Sequence, residues 1–419
     1  MINRHLSSAI LDSLIDFPAV LLMGARQVGK STLVQDLCKN HWKANYLTLD
    51  DRRTLDFALE DPDALLEAFP PPLAIDEVQK APDLLRAVKR KIDQNRKPGQ
   101  FLLTGSANLL TLKNVSETLA GRIALHELNP FSYAEQLHRK PLDLTAIFKV
   151  KSAQDLNDLF SADSQCPSPK LSVMQSVLGG GYPVPLAAKI KSSVPKYFES
   201  YRKTYIERDV QDLQAIERLS DFSRLLDLCA ASASQLVNFA NLGRESMLPY
   251  ATLRRYAQIL EQTYQVFFVP PYFTNLRKRI LKNPKLYWTD TGFLTHLLGV
   301  TDLSAIAQSS HWGALLENWV AIELKKLISL QSNPVRIYGW RTYQGQEVDF
   351  IIEMQGKFVA IEVKSSQSLH SVNVTSIQAL AGELGEKIVY TLILYQGKTI
   401  ETLREKIFAC PIEIFFKGF

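Results

Sequence analysis

Short, wholly apolar runs separated by amphipathic stretches dominate the first third of the chain. Val20-Leu21-Leu22-Met23, Leu73-Ala74-Ile75 and Phe101-Leu102-Leu103 hold no polar residue, the pattern of strands buried on both faces. Helical spacing predicts helices over Arg4 to Leu14, Lys30 to Lys39, Pro62 to Phe69 and Pro82 to Asn95. Ala44 to Asp51 and Arg122 to Leu128 read as two further strands. Strand and helix in alternation predict an α/β domain over about residues 1–145: a five-stranded parallel sheet with right-handed crossovers.

The rhythm then changes. Ser152 to Lys170 is polar and rich in serine and proline, and reads as an exposed linker. Leu171 to Leu178 reads as a short helix before the turn Gly179-Gly180-Gly181-Tyr182-Pro183-Val184-Pro185, expected to join the first domain to a helical lid over 146–215. Helices are expected over Tyr197 to Leu213, Ser220 to Asn241 and Pro249 to Thr263. In the second of these, Leu225, Leu226, Leu228 and Cys229 form the buried stripe. Strands Val266 to Val269 and Leu286 to Asp290 follow, with Arg277, Lys278, Arg279, Lys282 and Lys285 in or beside the loop between them. Helix, turn, helix and a basic hairpin predict a winged helix-turn-helix over 216–300, whose Arg254, Arg255 and basic loop are placed to meet nucleic-acid phosphates. The last part, 301–419, pairs an amphipathic helix, Trp312 to Leu324, with alternating strands at Val335 to Arg341, Glu347 to Ile352 and Phe358 to Lys364. A helix near Val372 to Leu384 and strands at Lys387 to Leu394 and Pro411 to Phe416 complete it.

Composition narrows the class. At 419 residues, with 46% hydrophobic and 22% charged residues, the chain has the balance of a globular protein with several cores. A formal charge of +5 is only a faint pointer to nucleic acid. Cys38, Cys166, Cys229 and Cys410 have neither metal-ligand nor disulfide spacing, so a reducing cytoplasm is expected. No apolar run is long enough to span a bilayer, and no membrane partner is expected.

Candidate chemistry sits at two places. Gly24-Ala25-Arg26-Gln27-Val28-Gly29-Lys30-Ser31-Thr32 matches G-x-x-x-x-G-K-[ST] in full, after an apolar strand and before a helix. Such a loop turns successive N–H groups toward phosphate, with Lys30 a charge for the outer phosphates and Ser31 a hydroxyl for Mg²⁺. Asp76 and Glu77 end the apolar strand after it, where the first would hold Mg²⁺ and the second polarise a water. Thr104, Ser106 or Asn108, at the end of the next strand, is placed to sense the γ-phosphate. The cofactors expected are ATP and Mg²⁺. A small-molecule kinase is disfavoured, because an Asp-Glu pair followed by a polar-tipped strand suits water activation.

These motifs, with Leu103-Thr104-Gly105-Ser106, Leu119-Ala120-Gly121-Arg122 and Leu128-Asn129-Pro130-Phe131-Ser132, resemble a family of prokaryotic AAA-type ATPases with a poorly characterised C-terminal domain. The resemblance implies ATP binding and hydrolysis. It makes Arg122 a candidate arginine finger, against a plain salt bridge, and Arg208 a candidate sensor from the lid, against helix-surface ion pairs. It also leaves open a homo-oligomer. Asp349, then Glu362 and Lys364 two apart on one strand, resemble the acid and acid-x-lysine pattern of the PD-(D/E)XK nuclease superfamily, with Glu317 as its helical glutamate. The likeness is to its archaeal Holliday-junction-resolvase branch, and it implies a restriction-endonuclease-like α/β domain. Asp349 and Glu362 would hold a divalent ion, and Lys364 would assist attack on a DNA phosphate. The alternative is a nucleotide-switched regulatory protein whose nuclease-like domain docks a partner without cutting.

Overall fold

The computed structural model describes residues 2–106, 121–161, 171–188, 193–205, 218–273, 275, 283–369 and 374–419. Asn108, Cys166, Arg208, Arg277, Lys278, Arg279 and Lys282 lie outside them. The chain divides into two compact units: Arg4–Pro130 with Gln258–Gln265, and Phe131–Ala257 with Val266–Phe419 and the first three residues.

In the first unit, β1 (Ala19–Met23), β2 (Asn45–Thr48), β3 (Leu73–Asp76), β4 (Phe101–Gly105) and β5 (Ile123–Glu127) form one parallel sheet, ordered β2-β3-β4-β1-β5. All five residues of β1 are buried, which is why its sequence carries no alternation. Burying each of Val20, Leu21 and Leu22 contributes about 1.5–3 kcal/mol. The order puts β4 between β1 and β3, so the chain's loops after all three open at one edge of the sheet. A helix absent from the expectation, Arg52–Glu60, starts where the Asp51 carboxylate accepts the Thr54 N–H at 2.9 Å.

In the second unit, part of the expected linker is the helix Ala153–Ser161. Asp155 accepts the N–H groups of Lys151 and Ser152, and Leu156 and Phe160, four apart, are buried. The helix expected over Ser220 to Asn241 is two, Leu219–Ala231 and Phe239–Ser246. Ser234, at φ 62°, breaks it, and the Asn238 side chain caps the second by accepting from Ala240 and Asn241. Leu225, Leu226 and Cys229 are buried as expected, and Leu228 is half-buried. The helix Tyr250–Gln262 precedes an antiparallel pair, β6 (Val266–Val269) and β7 (Lys285–Trp288), with Val269 opposite Lys285.

The long helix Trp312–Ser329 leads into a six-stranded sheet. β8 (Val335–Arg341), β9 (Glu347–Met354) and β10 (Lys357–Lys364) form an antiparallel meander. After the helix Thr375–Leu384, β11 (Ile388–Tyr395) returns parallel to β10, and β12 (Glu401–Arg404) and β13 (Ile407–Pro411) extend the sheet to the order β12-β13-β11-β10-β9-β8. The strand expected at Pro411 to Phe416 is instead the end of β13 and a short helix, Ile412–Phe416. Pro411 ends the ladder, and Ile412, Phe415 and Phe416 recur at helical spacing and are buried. Among the described residues no helix is long and apolar enough to cross a membrane.

Candidate functional site

The phosphate-loop motif sits at the carboxyl end of β1. Gly24 has φ 150°, and a Cβ there would lie 2.3 Å from the Leu128 carbonyl oxygen, so only glycine fits. Gly29, at φ 96°, leads into the helix Lys30–Asn40, whose first N–H groups face the loop. Lys30 is 4% exposed, and its ammonium donates to the carbonyls of Gly24 and Ala25, both at 2.9 Å. The loop is thereby curled around its own cation. Ala25 and Val28 are buried in the loop's underside, Arg26 is half-buried, and Gln27 and Thr32 face solvent.

Asp76 ends β3 beside this loop and is 2% exposed. Its carboxylate accepts from the Ser31 hydroxyl at 2.7 Å, the Tyr46 hydroxyl at 2.9 Å and the Thr104 hydroxyl. Thr104 is fully buried and also accepts the Glu77 N–H at 3.1 Å, so from β4 it holds the Asp76 carboxylate and the Glu77 backbone together. Ser106 accepts from the Gln79 side chain at 3.0 Å, and Gln79 also donates to Glu77. Tyr46, on β2, carries no motif of its own in the sequence. Burial, then the Asp76 charge, push its hydroxyl up to about 12, so it stays a donor to Asp76. Tyr46→Phe is expected to lower ATP turnover about tenfold with little change in KM, because a bond to a charged group contributes about 1.5–3 kcal/mol. Steady-state kinetics check it. Arg122 pairs with Asp93 through Nε at 2.6 Å and Nη2 at 3.2 Å.

The second candidate cluster lies in the other unit. Glu362 and Lys364 share one face of β10, and the Lys364 ammonium donates to Glu362 at 2.6 Å. Asp349, on β9, accepts the Val363 N–H at 2.8 Å. Glu317, from the helix Trp312–Ser329, accepts from Tyr287 at 2.7 Å and from Lys285 at 2.9 Å. Lys285 also pairs with Glu347 and lies 3.7 Å from Asp349. The basic hairpin residue expected to meet DNA phosphate is thus 6% exposed and committed to carboxylates. Burial, then the Asp349 charge, raise Glu317 and Glu362 above the usual carboxylate range. Among the described residues no group of three His, Cys, Asp or Glu side chains is placed to hold a metal ion.

The glycine-rich turn closes on a residue the pattern did not mark. Asp290 is buried, accepts Gly181 N–H at 2.7 Å and caps the helix Thr291–Leu297 by accepting Phe293 N–H at 2.8 Å. Gly180, at φ 67°, passes so close that a Cβ would lie 2.4 Å from the Asp290 carboxylate. The run of three glycines is therefore a backbone seat for Asp290.

The family described as an AAA domain matches residues 16–137. Two families described as domains of unknown function match residues 171–304 (DUF8612) and 312–415 (DUF4143). The chain is 30% identical over 412 residues to the uncharacterized protein Rv2008c of Mycobacterium tuberculosis, across 98% of this chain and 84% of the relative. Mb2031c of Mycobacterium bovis matches equally. MJ1544 of Methanocaldococcus jannaschii is 21% identical over 373 residues, 85% of this chain and 76% of its own. Among solved structures, a RuvB variant of Thermotoga maritima superposes with a TM-score of 0.30 at 17% identity, over 63% of this chain and 87% of that one. A signal transduction ATPase with a tetratricopeptide repeat sensor from Pyrococcus horikoshii gives 0.27 at 10% identity, over 78% and 45%. Scores this low carry no argument about function. The AAA match makes the first unit an AAA-type P-loop ATPase domain.

Proposed function

The chain belongs to the same family as the mycobacterial proteins Rv2008c and Mb2031c, with an AAA domain near its N-terminus, and from that premise we propose that it is a nucleotide-switched ATPase that acts on, or is regulated by, nucleic acid. The observation that carries the ATPase half is the hydrogen bonding at the carboxyl ends of β1, β3 and β4, where Ser31 and Thr104 both donate to Asp76 and Lys30 donates to the loop carbonyls of Gly24 and Ala25. The curled loop from Gly24 to Thr32 would wrap the phosphates with main-chain N–H groups, and the Lys30 ammonium would turn from its own carbonyls to the γ-phosphate. Ser31 and Asp76 offer hard oxygens 2.7 Å apart and fit Mg²⁺, which when bound neutralises phosphate charge. Glu77 would accept the proton of the water that attacks the γ-phosphorus, as ADP leaves. Tyr46 and Thr104 hold Asp76 still while this happens.

The nucleic-acid half rests on element order. Three helices followed by the β6–β7 pair are the sequence of parts of a winged helix. Arg254, beside Tyr250 on the third helix, lies 4.4 Å over the Phe239 ring, and Tyr250 is 61% exposed. A helix, an antiparallel meander, a second helix and a parallel strand, with Asp349, Glu362 and Lys364 on two of the strands, support a nuclease-like C-terminal domain. The carboxylates here do not converge on a point open to a metal ion, so no cleavage step is derived through one. ATPase rates of the full chain with and without single-stranded, duplex and branched DNA test the proposal. Stimulation by DNA is expected. A rate indifferent to every DNA would point to the other reading, a switch whose C-terminal domain docks a protein.

A further inference from the structure

We infer that the Lys285 ammonium is the resident cation of the Glu317–Glu347–Asp349 cluster, and that it shuts divalent metal out of the nuclease-like centre while β7 stays in place. The inference rests on the nuclease-like reading of the C-terminal domain only for what is excluded, and it is independent of the phosphate loop. Lys285 Nζ lies 2.9 Å from Glu317, pairs with Glu347 and stands 3.7 Å from Asp349. It therefore occupies the space between three carboxylates, where a divalent ion would have to sit. Such an ion would meet an ammonium already there, and like charges in a poorly solvated site repel strongly.

The lysine is held there by its backbone. Val269 pairs with it across the hairpin, and a bridge from Leu236 pairs it on the other side. Leu286 donates to Gln235 at 3.0 Å and accepts from Ser234 at 2.8 Å. Directly after Glu317, Asn318 locks the same strand to the long helix: its side chain accepts Trp288 N–H at 2.8 Å and donates to Trp288 C=O at 2.9 Å. Both Glu317 and Lys285 are thus fixed by adjacent residues of the elements that carry them. The other ligands are occupied too. Tyr287 donates to the same Glu317 oxygen as Lys285, Val363 N–H takes one oxygen of Asp349, and Lys364 takes one of Glu362. The Arg341 guanidinium reaches Glu347 at 3.5 Å, and the second Glu362 oxygen is buried without a hydrogen bond. With the carboxylates already gathered around the Lys285 ammonium, removing the lysine, rather than adding ligands, is what would open a metal site. While Lys285 is seated the centre is closed to the divalent ion that cutting would need, and metal entry is a step that needs β7 to withdraw.

The test uses the full chain without nucleotide, in an Asp76→Asn background so that the phosphate loop contributes no carboxylate to metal binding. Free Mn²⁺ is followed by its electron paramagnetic resonance signal. The Asp76→Asn chain is expected to show no site that fills below about 1 mM, and adding Lys285→Met to create one at least about tenfold tighter, lost again on adding Glu317→Gln. Lys285→Arg is expected to keep the metal out. A folded Lys285→Met chain that binds no more Mn²⁺ than its parent would overturn the inference. Should that variant not fold, the parent chain decides alone. A saturable Mn²⁺ site there that Glu317→Gln abolishes would overturn the inference, and its absence supports it.

Discussion

Replacing Lys30 with alanine is expected to cut ATP turnover by about a hundredfold or more. The ammonium is enclosed by the loop, bonded to the carbonyls of Gly24 and Ala25 and nearly cut off from solvent. In that setting a charge acting on a phosphoryl group is weakly screened and needs little reorganisation. The variant keeps the strand before the loop and the helix after it, so its melting temperature should move by only a few degrees. A steady-state ATPase assay, with melting recorded beside it, separates lost chemistry from lost fold. Turnover equal to wild type would mean that this lysine does not touch the nucleotide.

A second large effect is expected for stability. Asp290→Ala removes the acceptor of two buried N–H groups, those of Gly181 and Phe293, and the cap of the helix Thr291–Leu297. Bonds to a charged group contribute about 1.5–3 kcal/mol each, and donors left buried without partners add to the loss, so the expected cost is about 3–5 kcal/mol. No alanine methyl fills the space, because Gly180 is shaped to the carboxylate. Asp290→Asn keeps an acceptor and should cost much less. The two differ in pH response as well. Burial raises Asp290 above its ordinary value of 3.8. A raised carboxyl contributes stability that is whole below the unfolded value and is lost as pH rises through the folded one. Urea unfolding of wild type should therefore weaken as pH rises from about 3.8 toward neutrality, with a shallower slope in Asp290→Asn. Equal stability of Asp290→Ala and wild type would remove the glycine seat as an explanation of the turn.

What the sequence disclosed, and what it hid, follows from how local each signal is. The strand, loop and helix around Lys30 are legible because one continuous stretch carries the apolar strand, the two glycines and the helix start. Asp76 and Glu77 were legible for the same reason, as the polar tip of an apolar run. Tyr46 was hidden because its partner lies on another strand: Thr48 pairs with Asp76 across β2 and β3, and only that register brings a tyrosine two residues back onto the acid. Lys285 reads as part of a basic loop because it follows Arg277 to Lys282 in the chain, yet it begins the apolar run Leu286-Tyr287-Trp288. A charge at the head of a buried strand was the available sign that it had a partner inside. Asp290 looked like the end of that strand. Its position before Thr291-Gly292-Phe293 is a helix-capping signal, and three glycines far upstream record the close approach of backbone to its side chain.

The measurement that bears most directly on the account is equilibrium binding of ATP with Mg²⁺ to the full chain, followed by calorimetry alongside the Lys30→Ala variant. The account predicts one saturable site per chain that the variant loses or holds at least about tenfold more weakly. No heat of binding from the wild-type chain, or an unchanged site in the variant, would contradict it.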